Sequence, residues 1–214
     1  MIKTMKTLLH LLILSCSINL ALAEKSIVFQ GEKGILVMES ESTRSKLGRW
    51  KKKKDVPEFS GECHLEFTGN KITNGPPNSP LEYNFTVDKD GVYTLVLKAR
   101  KRLETKREDL SNDCFVSLKG DFQAAGNVPK KLLETPTKMF GGAADSWGWA
   151  RKLDDKHTKY DPKYKLIADK QYTLTIHGRS KNFNLDNIML VHESVPLKTA
   201  LKNQPKESKQ TSKN

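Results

Sequence analysis

Three acidic residues from opposite ends of the chain have the types and spacing of ligands for a hard cation. Glu39 and Glu41 alternate within residues 37–41, so their side chains lie on the same face if this segment is a strand. Asp186 lies near the other end, in an apolar segment. Calcium takes six to eight oxygen ligands, including carboxylates and backbone carbonyls. We expect a structural calcium ion that joins the first and last strands; the alternative is acids on a solvated strand face.

Tryptophans outside any clear strand pattern are candidates for ligand binding. Trp147 and Trp149 flank Gly148, and Trp50 follows Gly48-Arg49. The flat C–H faces of sugar rings pack on aromatic side chains, while sugar hydroxyls need planar polar partners. We therefore expect Trp147, Trp149 and Trp50 to contact a carbohydrate; the alternative for each is a lid over the core or a place within it.

A catalytic alternative rests on three residues that are close in sequence. A polysaccharide lyase needs a tyrosine or histidine base and a cationic group that neutralises a uronate. Arg151, His157 and Tyr160 supply these types, although proximity in a lysine-rich segment is a weak signal. The sequence contains no nucleophile elbow and no His-x-x-x-His pair. It favours a binding protein over an enzyme.

The chain is strongly basic, with a formal net charge of +12. Its cations cluster at Lys51–Lys54 and at Lys98, Arg100, Lys101 and Arg102. Such runs indicate either solvated loops or a surface for an anionic partner, such as an acidic polysaccharide or a charged envelope. An envelope or matrix interaction module is therefore a third hypothesis. Nucleic acid is excluded as the expected partner, because the sequence predicts export.

Export is predicted by residues 1–23, which have a basic start, an apolar run and a small-residue cleavage signal at Ala21-Leu22-Ala23. We interpret them as a cleaved signal peptide of a secreted or periplasmic protein. The remaining sequence predicts no transmembrane segment. Cys63 and Cys114 remain after cleavage, and an even pair in an oxidising compartment is a disulfide candidate. The alternative is two separate buried thiols.

Short segments of alternating polarity dominate the rest of the chain. Residues 81–87 and 93–99 flank Lys89-Asp90-Gly91, which predicts a hairpin with a tight turn. Six further strands are predicted at 26–29, 35–42, 63–67, 114–118, 172–176 and 187–191. Many short strands separated by turn residues indicate an all-β protein, an antiparallel β-sandwich.

The predicted domain covers residues 24–195. Two long loops are expected within it, at 101–112 and 119–161, with at most one helical turn near 128–134. Residues 196–214 are basic and almost free of apolar side chains, so we expect a disordered tail.

Several motifs, taken in order, resemble carbohydrate-binding modules of the family 6 and family 35 type. They are the Glu-x-Glu strand at 39–41, Phe59-Ser60-Gly61, Asp90-Gly91-Val92-Tyr93, Asn112-Asp113, Ile176-His177-Gly178-Arg179 and Leu185-Asp186-Asn187-Ile188. The resemblance spans residues 35–192. It departs from the group in the insert at 130–161 and in the lack of an accompanying catalytic domain.

The resemblance implies a jelly-roll sandwich with galactose-binding-domain topology that binds polysaccharide without catalysis. It also implies a structural calcium site at Glu39, Glu41 and Asp186, and a hydroxyl-binding role for Asn184. From its chemistry, Arg179 is a candidate for recognising a carboxylate or sulfate, with a surface salt bridge as the alternative. The glycan, which could be neutral or acidic, and the oligomeric state stay open.

Overall fold

The computed structural model describes residues 26–144 and 146–213, and the predicted signal peptide lies outside them. These segments form fifteen strands and two short α-helices. The strands are β1 (Ser26–Gln30), β2 (Ile35–Glu39), β3 (Trp50–Lys53), β4 (His64–Phe67), β5 (Asn78–Thr86), β6 (Gly91–Lys101), β7 (Asp113–Lys119), β8 (Gln123–Ala124), β9 (Thr137–Gly141), β10 (Gly148–Asp155), β11 (Thr158–Tyr160), β12 (Lys163–Leu166), β13 (Tyr172–Gly178), β14 (Phe183–His192) and β15 (Gln210–Lys213). The helices are α1 (Lys130–Glu134) and α2 (Leu197–Asn203).

The strands form one continuous sheet that curls into a sandwich. One half runs in the order β15, β1, β5, β13, β7, and the other in the order β10, β6, β14, β4, β3. β9 pairs with β7 on one side and β10 on the other, so it joins the halves. The pairing is antiparallel except between β1 and β5, which run parallel. The predicted β-sandwich is confirmed.

All eight predicted strands are present, and α1 occupies the predicted helical turn. The strand predicted at 35–42 ends at Glu39, and Glu41 lies in a 3-10 turn (Ser40–Ser42), so the two acids do not share the face of one strand. The expected loop at 119–161 instead contains β8 to β11 and α1. Alternation in β10 is interrupted by a register shift between Ala150 and Lys152, where one residue is unpaired with β9. This irregularity removes the period of two that would identify the strand from sequence. β3 was missed because it consists mostly of lysines; it is an edge strand, where lysine discourages pairing with another chain.

The predicted hairpin at 81–99 is wrong. β5 pairs with β1 and β13, whereas β6 pairs with β10, β12 and β14, so the tight turn carries the chain from one half of the sandwich to the other. Leu81 and Phe85 of β5, and Leu95 and Leu97 of β6, are fully buried in the same core. Each strand buries one face against the other half, which a flat hairpin could not do.

A second, smaller apolar cluster lies on the outer face of the β6–β14 half. Val37, Val96 and Met189 project from that face and pack against Ala200 and Leu201 of α2. Because these strands bury side chains on both faces, every residue of β14 is buried. α2 therefore shields apolar surface that would otherwise contact water.

The prediction of a disordered tail is wrong, because segments of the tail pack on the sheet and pair with its edge. α2 packs on this outer cluster, and β15 pairs antiparallel with β1. Between them, the side chains of Glu207 and Ser208 accept hydrogen bonds from the backbone N–H groups of Glu39 and Val37, each at 3.0 Å. The tail thus satisfies donors of two exposed strand edges, and polar residues suffice for that role.

The predicted disulfide is absent: Cys63 and Cys114 are both buried free cysteines. Cys63 precedes β4 and donates its backbone N–H to Glu41, whereas Cys114 lies in β7 between β9 and β13. The two residues belong to different halves of the sandwich and have different neighbours. Burial raises the pKa of both thiols, so they remain protonated and unreactive.

Removal of residues 205–214 should lower the stability of the fold. Truncation exposes the edges of β1 and β2 and removes at least four hydrogen bonds, each worth about 0.5–1.5 kcal/mol. We expect a loss of about 2–6 kcal/mol in the free energy of unfolding, measured by urea denaturation. The exposed Lys206→Ala is the control and should change little; unchanged stability after truncation would contradict the ordered tail.

Candidate functional site

A row of four cross-strand neighbours forms the base of the candidate site on the outer face of the sheet. Asn187 of β14 lies opposite Glu39 of β2 on one side and Lys98 of β6 on the other, and Lys98 lies opposite Trp149 of β10. Directly opposed residues on one face have Cβ atoms about 5 Å apart. The sheet thus places an acid, an amide, an ammonium and an indole in line.

Asp186 reaches this row because of an irregularity in β14. The register with β6 shifts between Leu185 and Asn187, so Asp186 is the extra residue of a β-bulge. On the other edge of β14, the pairing changes at the same point from β4 to β2. A bulge re-aims a side chain, and here it places a carboxylate that is 0% exposed beside Lys98.

Both predicted loop tryptophans line a single open pocket beside this row. Its walls are Glu58, Lys98, Trp147, Trp149 and Gln204, and its volume is about 400 Å³. We call this the tryptophan pocket. Trp149 lies on β10, Trp147 precedes that strand, and Gln204 caps the C-terminus of α2 in a left-handed conformation. The two half-buried indoles supply apolar surface, while the other three residues supply polar groups.

Trp147 is held in place by contacts on several sides. Its Nε1 donates a hydrogen bond to the carbonyl oxygen of Pro57 at 2.8 Å. The His64 ring packs edge-on against it at 5.2 Å between centroids, and Lys98 Nζ lies 5.7 Å from its ring centroid. Burial lowers the pKa of His64, so this ring is neutral at pH 7 and packs as an aromatic group. The indole is therefore positioned before any ligand arrives.

Lys98 connects the pocket to the predicted cation site. Its Nζ lies 2.9 Å from Asp186 Oδ2 and 2.9 Å from the carbonyl oxygen of Glu58. Lys98 itself is only 5% exposed. A buried ammonium needs such partners, because an uncompensated buried charge is strongly destabilising.

Two of the three predicted cation ligands, Glu39 and Asp186, meet at Ser60, and Glu41 contacts the backbone just beyond it. We call Glu39, Glu41 and Asp186 the acidic cluster. The Ser60 hydroxyl lies 2.8 Å from Glu39 Oε2 and 3.1 Å from Asp186 Oδ2. Glu41 Oε1 accepts the backbone N–H groups of Glu62 and Cys63 at 2.6 and 3.1 Å.

The loop that carries these contacts depends on a glycine between Ser60 and Glu62. Gly61 has φ +68°, and a Cβ there would collide with the Glu41 carboxylate. The close approach of this loop to the acidic cluster therefore requires glycine.

The side chains of the acidic cluster are not arranged as one metal-ligand set. Within residues 26–144 and 146–213, no group of three or more His, Cys, Asp or Glu side chains could hold a metal ion. Asp186 is engaged by Lys98 and Ser60, and Glu41 Oε1 by two amides, although Glu41 Oε2 is buried without a partner. The residues as folded do not fit a calcium ion held jointly by all three carboxylates, and calcium stays a prediction.

Two of the predicted sugar-binding residues are inaccessible. Trp50 is 1% exposed in the main core, where it packs on Phe67 and donates its Nε1 to the Ser79 carbonyl oxygen. Asn184 is 0% exposed on β14, and its Nδ2 donates to the Asn182 carbonyl oxygen. In this structure neither can contact a glycan, because no polar atom or ring face reaches solvent.

Arg179 does not line the tryptophan pocket either. Its guanidinium pairs with Asp113, donates to the Thr73 carbonyl oxygen and lies over the Phe115 ring. The salt-bridge alternative therefore describes Arg179 in this structure, and its charge is compensated within the fold.

The residues of the lyase hypothesis also lie outside the tryptophan pocket. Arg151 and Tyr160 lie on the β10–β11 hairpin, and His157 lies in its turn. Arg151 and His157 are exposed, while Tyr160 packs against the main core.

Sequence reasoning missed Glu58 and Gln204, and it assigned Lys98 to a basic surface. Gln204 lies in the segment that was expected to be a disordered tail, and no sequence pattern marked it as a pocket residue. The alternation of Leu95, Leu97 and Ala99 with Lys98 does place Lys98 on the outer face of β6. Only the packing of α2 and of the 57–60 loop over that face makes it a buried wall of a pocket.

The acidic cluster should make stability depend on pH. Burial, with neighbouring carboxylates, raises the pKa of Glu39 to about 8, and burial raises the pKa values of Glu41 and Asp186. Between about pH 4.5 and 8 the folded state therefore retains a proton that the unfolded state has lost, so stability falls as pH rises through this window.

We expect Glu39→Gln to flatten this decline and to stabilise the protein at pH 8, measured by urea denaturation with EDTA present. One unit of pKa difference corresponds to about 1.4 kcal/mol, so the gain should be at least that. Glu104→Gln, which removes an exposed carboxylate paired with Lys181, is the control and should leave the decline in place. An equal decline in the Glu39 variant would show that Glu39 ionises normally.

Comparisons with known proteins bear on the fold. No protein-family model matches the sequence, and no curated protein matches it. Among solved structures, a GH26–CBM35 β-(1,4)-mannanase of Podospora anserina is 13% identical with a TM-score of 0.50; the match covers 77% of this chain and 29% of that chain. The chain thus spans less than a third of the mannanase's length.

Isolated modules align over nearly their whole length. A family 35 carbohydrate-binding module from Paenibacillus barcinonensis is 12% identical, with 73% of this chain and 98% of that chain covered and a TM-score of 0.42. One from Cellvibrio japonicus is 10% identical, with 84% and 98% covered and a TM-score of 0.44. At these identities the likeness concerns the fold alone. The resemblance predicted from the sequence is confirmed at the level of the fold: this chain is a β-sandwich, as are the carbohydrate-binding modules among the similar structures.

Proposed function

We propose that this chain is a non-catalytic carbohydrate-binding module of an exported protein, and that it binds a polysaccharide in the tryptophan pocket. The observation that carries the proposal is the convergence of Trp147 and Trp149 on one opening of about 400 Å³. Small-ligand sites typically measure about 300–1,000 Å³ and combine apolar walls with a few polar groups.

The chemistry of the pocket suits sugar units. Two indole rings offer apolar surface for the C–H faces of a pyranose, and the fixed position of Trp147 reduces the entropy lost on binding. Glu58 and Gln204 are exposed at the rim and offer carboxylate and amide groups for hydroxyls. The opening leaves room for a polymer to continue past the bound unit.

The charges of the pocket favour a neutral polysaccharide over an acidic one. The single cation in the wall, Lys98, is paired with the buried Asp186, and Glu58 adds a carboxylate at the rim. An incoming uronate would meet no uncompensated positive charge and would approach Glu58. Like charges disfavour binding, so a neutral polymer fits better.

Other features support an exported binding module. The fold is that of carbohydrate-binding modules, and the sequence predicts a signal peptide at residues 1–23. Neither helix of the described segments has the length and apolar character that crossing a bilayer requires. The candidate lyase residues Arg151, His157 and Tyr160 do not contribute to the pocket, which favours binding without catalysis.

The basic-surface hypothesis has less support than the sequence suggested. Of its second cluster, Lys98 and Lys101 are buried, and Arg102 pairs with Asp55 and Glu66. Lys51, Lys52 and Lys54 remain exposed beside the edge of the sheet. Their position also fits the separate role of preventing edge-to-edge association.

Trp147→Ala and Trp149→Ala should weaken glycan binding. Removing an aromatic anchor from a binding site typically costs about 2 kcal/mol or more, so we expect at least about a thirtyfold loss of affinity for each variant. Retardation in gels containing neutral and acidic polysaccharides would identify the polymer, and titration calorimetry would measure the loss. Phe140→Ala, which removes a half-buried aromatic ring of β9 outside the pocket, is the matched control.

The proposed function fails if no polysaccharide retards the protein. It also fails if both tryptophan variants, shown to be folded by circular dichroism, bind as tightly as the wild type.

Binding to a neutral polymer should change less than about twofold between 50 and 500 mM salt, because no free charge pair contributes. The variant Lys51→Ala/Lys52→Ala should bind equally well. A steep loss of affinity with salt, together with a loss in this lysine variant, would instead support the electrostatic interaction module.

A further inference from the structure

We infer that Lys98 takes the place of a metal ion in this sandwich: its ammonium group, and no bound cation, joins the last long strand to the loop that crosses the acidic cluster. The inference concerns stability and does not depend on glycan binding. The three carboxylates expected to share a cation have other partners in the structure.

The ammonium has the partners that a small cation would seek. Lys98 Nζ lies 2.9 Å from a carboxylate oxygen of Asp186 and 2.9 Å from the carbonyl oxygen of Glu58, and the Trp147 ring lies on a further side at 5.7 Å. Carboxylate and carbonyl oxygens are the ligand types that calcium uses. Two oxygen acceptors thus engage the ammonium, and the electron-rich ring face adds a weaker cation–π contact.

Asp186 has little capacity left for a metal. Its Oδ1 accepts the backbone N–H of Ser60 at 2.9 Å, and its Oδ2 contacts that N–H, the Ser60 hydroxyl and Lys98 at 3.1, 3.1 and 2.9 Å. The carboxylate is 0% exposed. A metal at Asp186 would have to displace the ammonium and leave it buried without its carboxylate, which is costly.

The remaining oxygens are too few for calcium. Glu41 Oε1 already accepts two backbone amides, and Glu39 Oε2 lies 2.8 Å from the Ser60 hydroxyl. Glu41 Oε2, which is buried without a partner, and Glu39 Oε1 are the carboxylate oxygens of the acidic cluster that could still ligate. Two such oxygens fall well short of the six to eight that calcium requires.

The placement of Lys98 follows from the sheet. Lys98 lies opposite Asn187, which comes directly after the bulged Asp186, so the register of β6 and β14 brings ammonium and carboxylate together as the strands pair. Asn187 Nδ2 also donates to the Ser60 hydroxyl at 2.8 Å. The fold therefore supplies its own cation through backbone pairing, and the loop at 58–60 closes over it.

The first test uses the wild-type protein. Thermal unfolding in EDTA and in 5 mM calcium chloride should give the same Tm within about 1 °C, and titration calorimetry should detect no calcium binding at millimolar concentration. A rise in Tm of several degrees with calcium, or a loss of that size in EDTA, would overturn the inference and restore the metal site.

A double-mutant cycle provides the second test. Lys98→Met and Asp186→Asn each break a buried pair, which typically lowers Tm by more than about 5 °C in a chain of this size. The variant Lys98→Met/Asp186→Asn should lose clearly less than the sum of the two single losses, because neither charge is then left alone. Additive losses would show that the two side chains are not coupled and would overturn the inference.

Lys101→Met is the matched control. Lys101 is also a buried lysine of β6, and its Nζ donates to the Glu108 carbonyl oxygen at 2.8 Å without contacting the acidic cluster. In the variant Lys101→Met/Asp186→Asn, the loss in Tm should equal the sum of the losses in the two single variants. If a single variant fails to fold, the calcium titration of the wild type still decides the question. Loss of glycan binding alone would leave the inference intact, since its readouts are stability and metal binding.

Discussion

The buried pair between Lys98 and Asp186 is the interaction around which the functional end of this sandwich is arranged. It places a positive and a negative charge, at 5% and 0% exposure, on two adjacent strands. Such a pair is tolerated only when both partners are present and further hydrogen bonds satisfy them. Ser60 and the carbonyl oxygen of Glu58 meet that condition, so the loop they belong to must lie over the outer face of the sheet. The same loop supplies the Pro57 carbonyl that holds Trp147 and a wall of the tryptophan pocket.

A second constraint is that the outer face of the β6–β14 half changes character along its length. Val96 and Met189 require a cover of apolar side chains, which α2 provides, whereas Lys98 and Asn187 require polar partners. The pocket lies at the boundary between these regions, where α2 ends at Gln204. A cavity with apolar and polar walls is a consequence of that boundary, and it matches the mixed surface of a sugar unit.

Some of the candidate site could be predicted from residues alone. Tryptophans in a glycine-rich segment indicated a ligand platform, and Glu39, Glu41 and Asp186 were predicted to meet. In the structure Glu39 and Asp186 both contact Ser60, while Glu41 contacts the backbone amides of Glu62 and Cys63. Trp50 and Asn184 could not be assigned correctly, because burial depends on which residues from distant strands lie above a side chain. The same holds for Arg179, since its partner Asp113 is distant in sequence. The hairpin prediction failed because the turn residues determine only that the chain reverses direction. Which strand becomes the neighbour depends on how the core packs.

By itself, the sequence determined that this is an all-β chain with eight of its strands in identifiable places, because alternation and turn residues are local properties of the chain. It also determined which residue types were available for binding. The tertiary structure alone decided that Lys98 is buried against Asp186, that the C-terminal tail completes the sheet, and that the two cysteines remain apart. These outcomes depend on register, on a one-residue bulge and on which face of a strand is covered. A shift of one residue in β6 or β14 would turn Lys98 or Asp186 to the other face of the sheet, and pairing between distant segments settles that register.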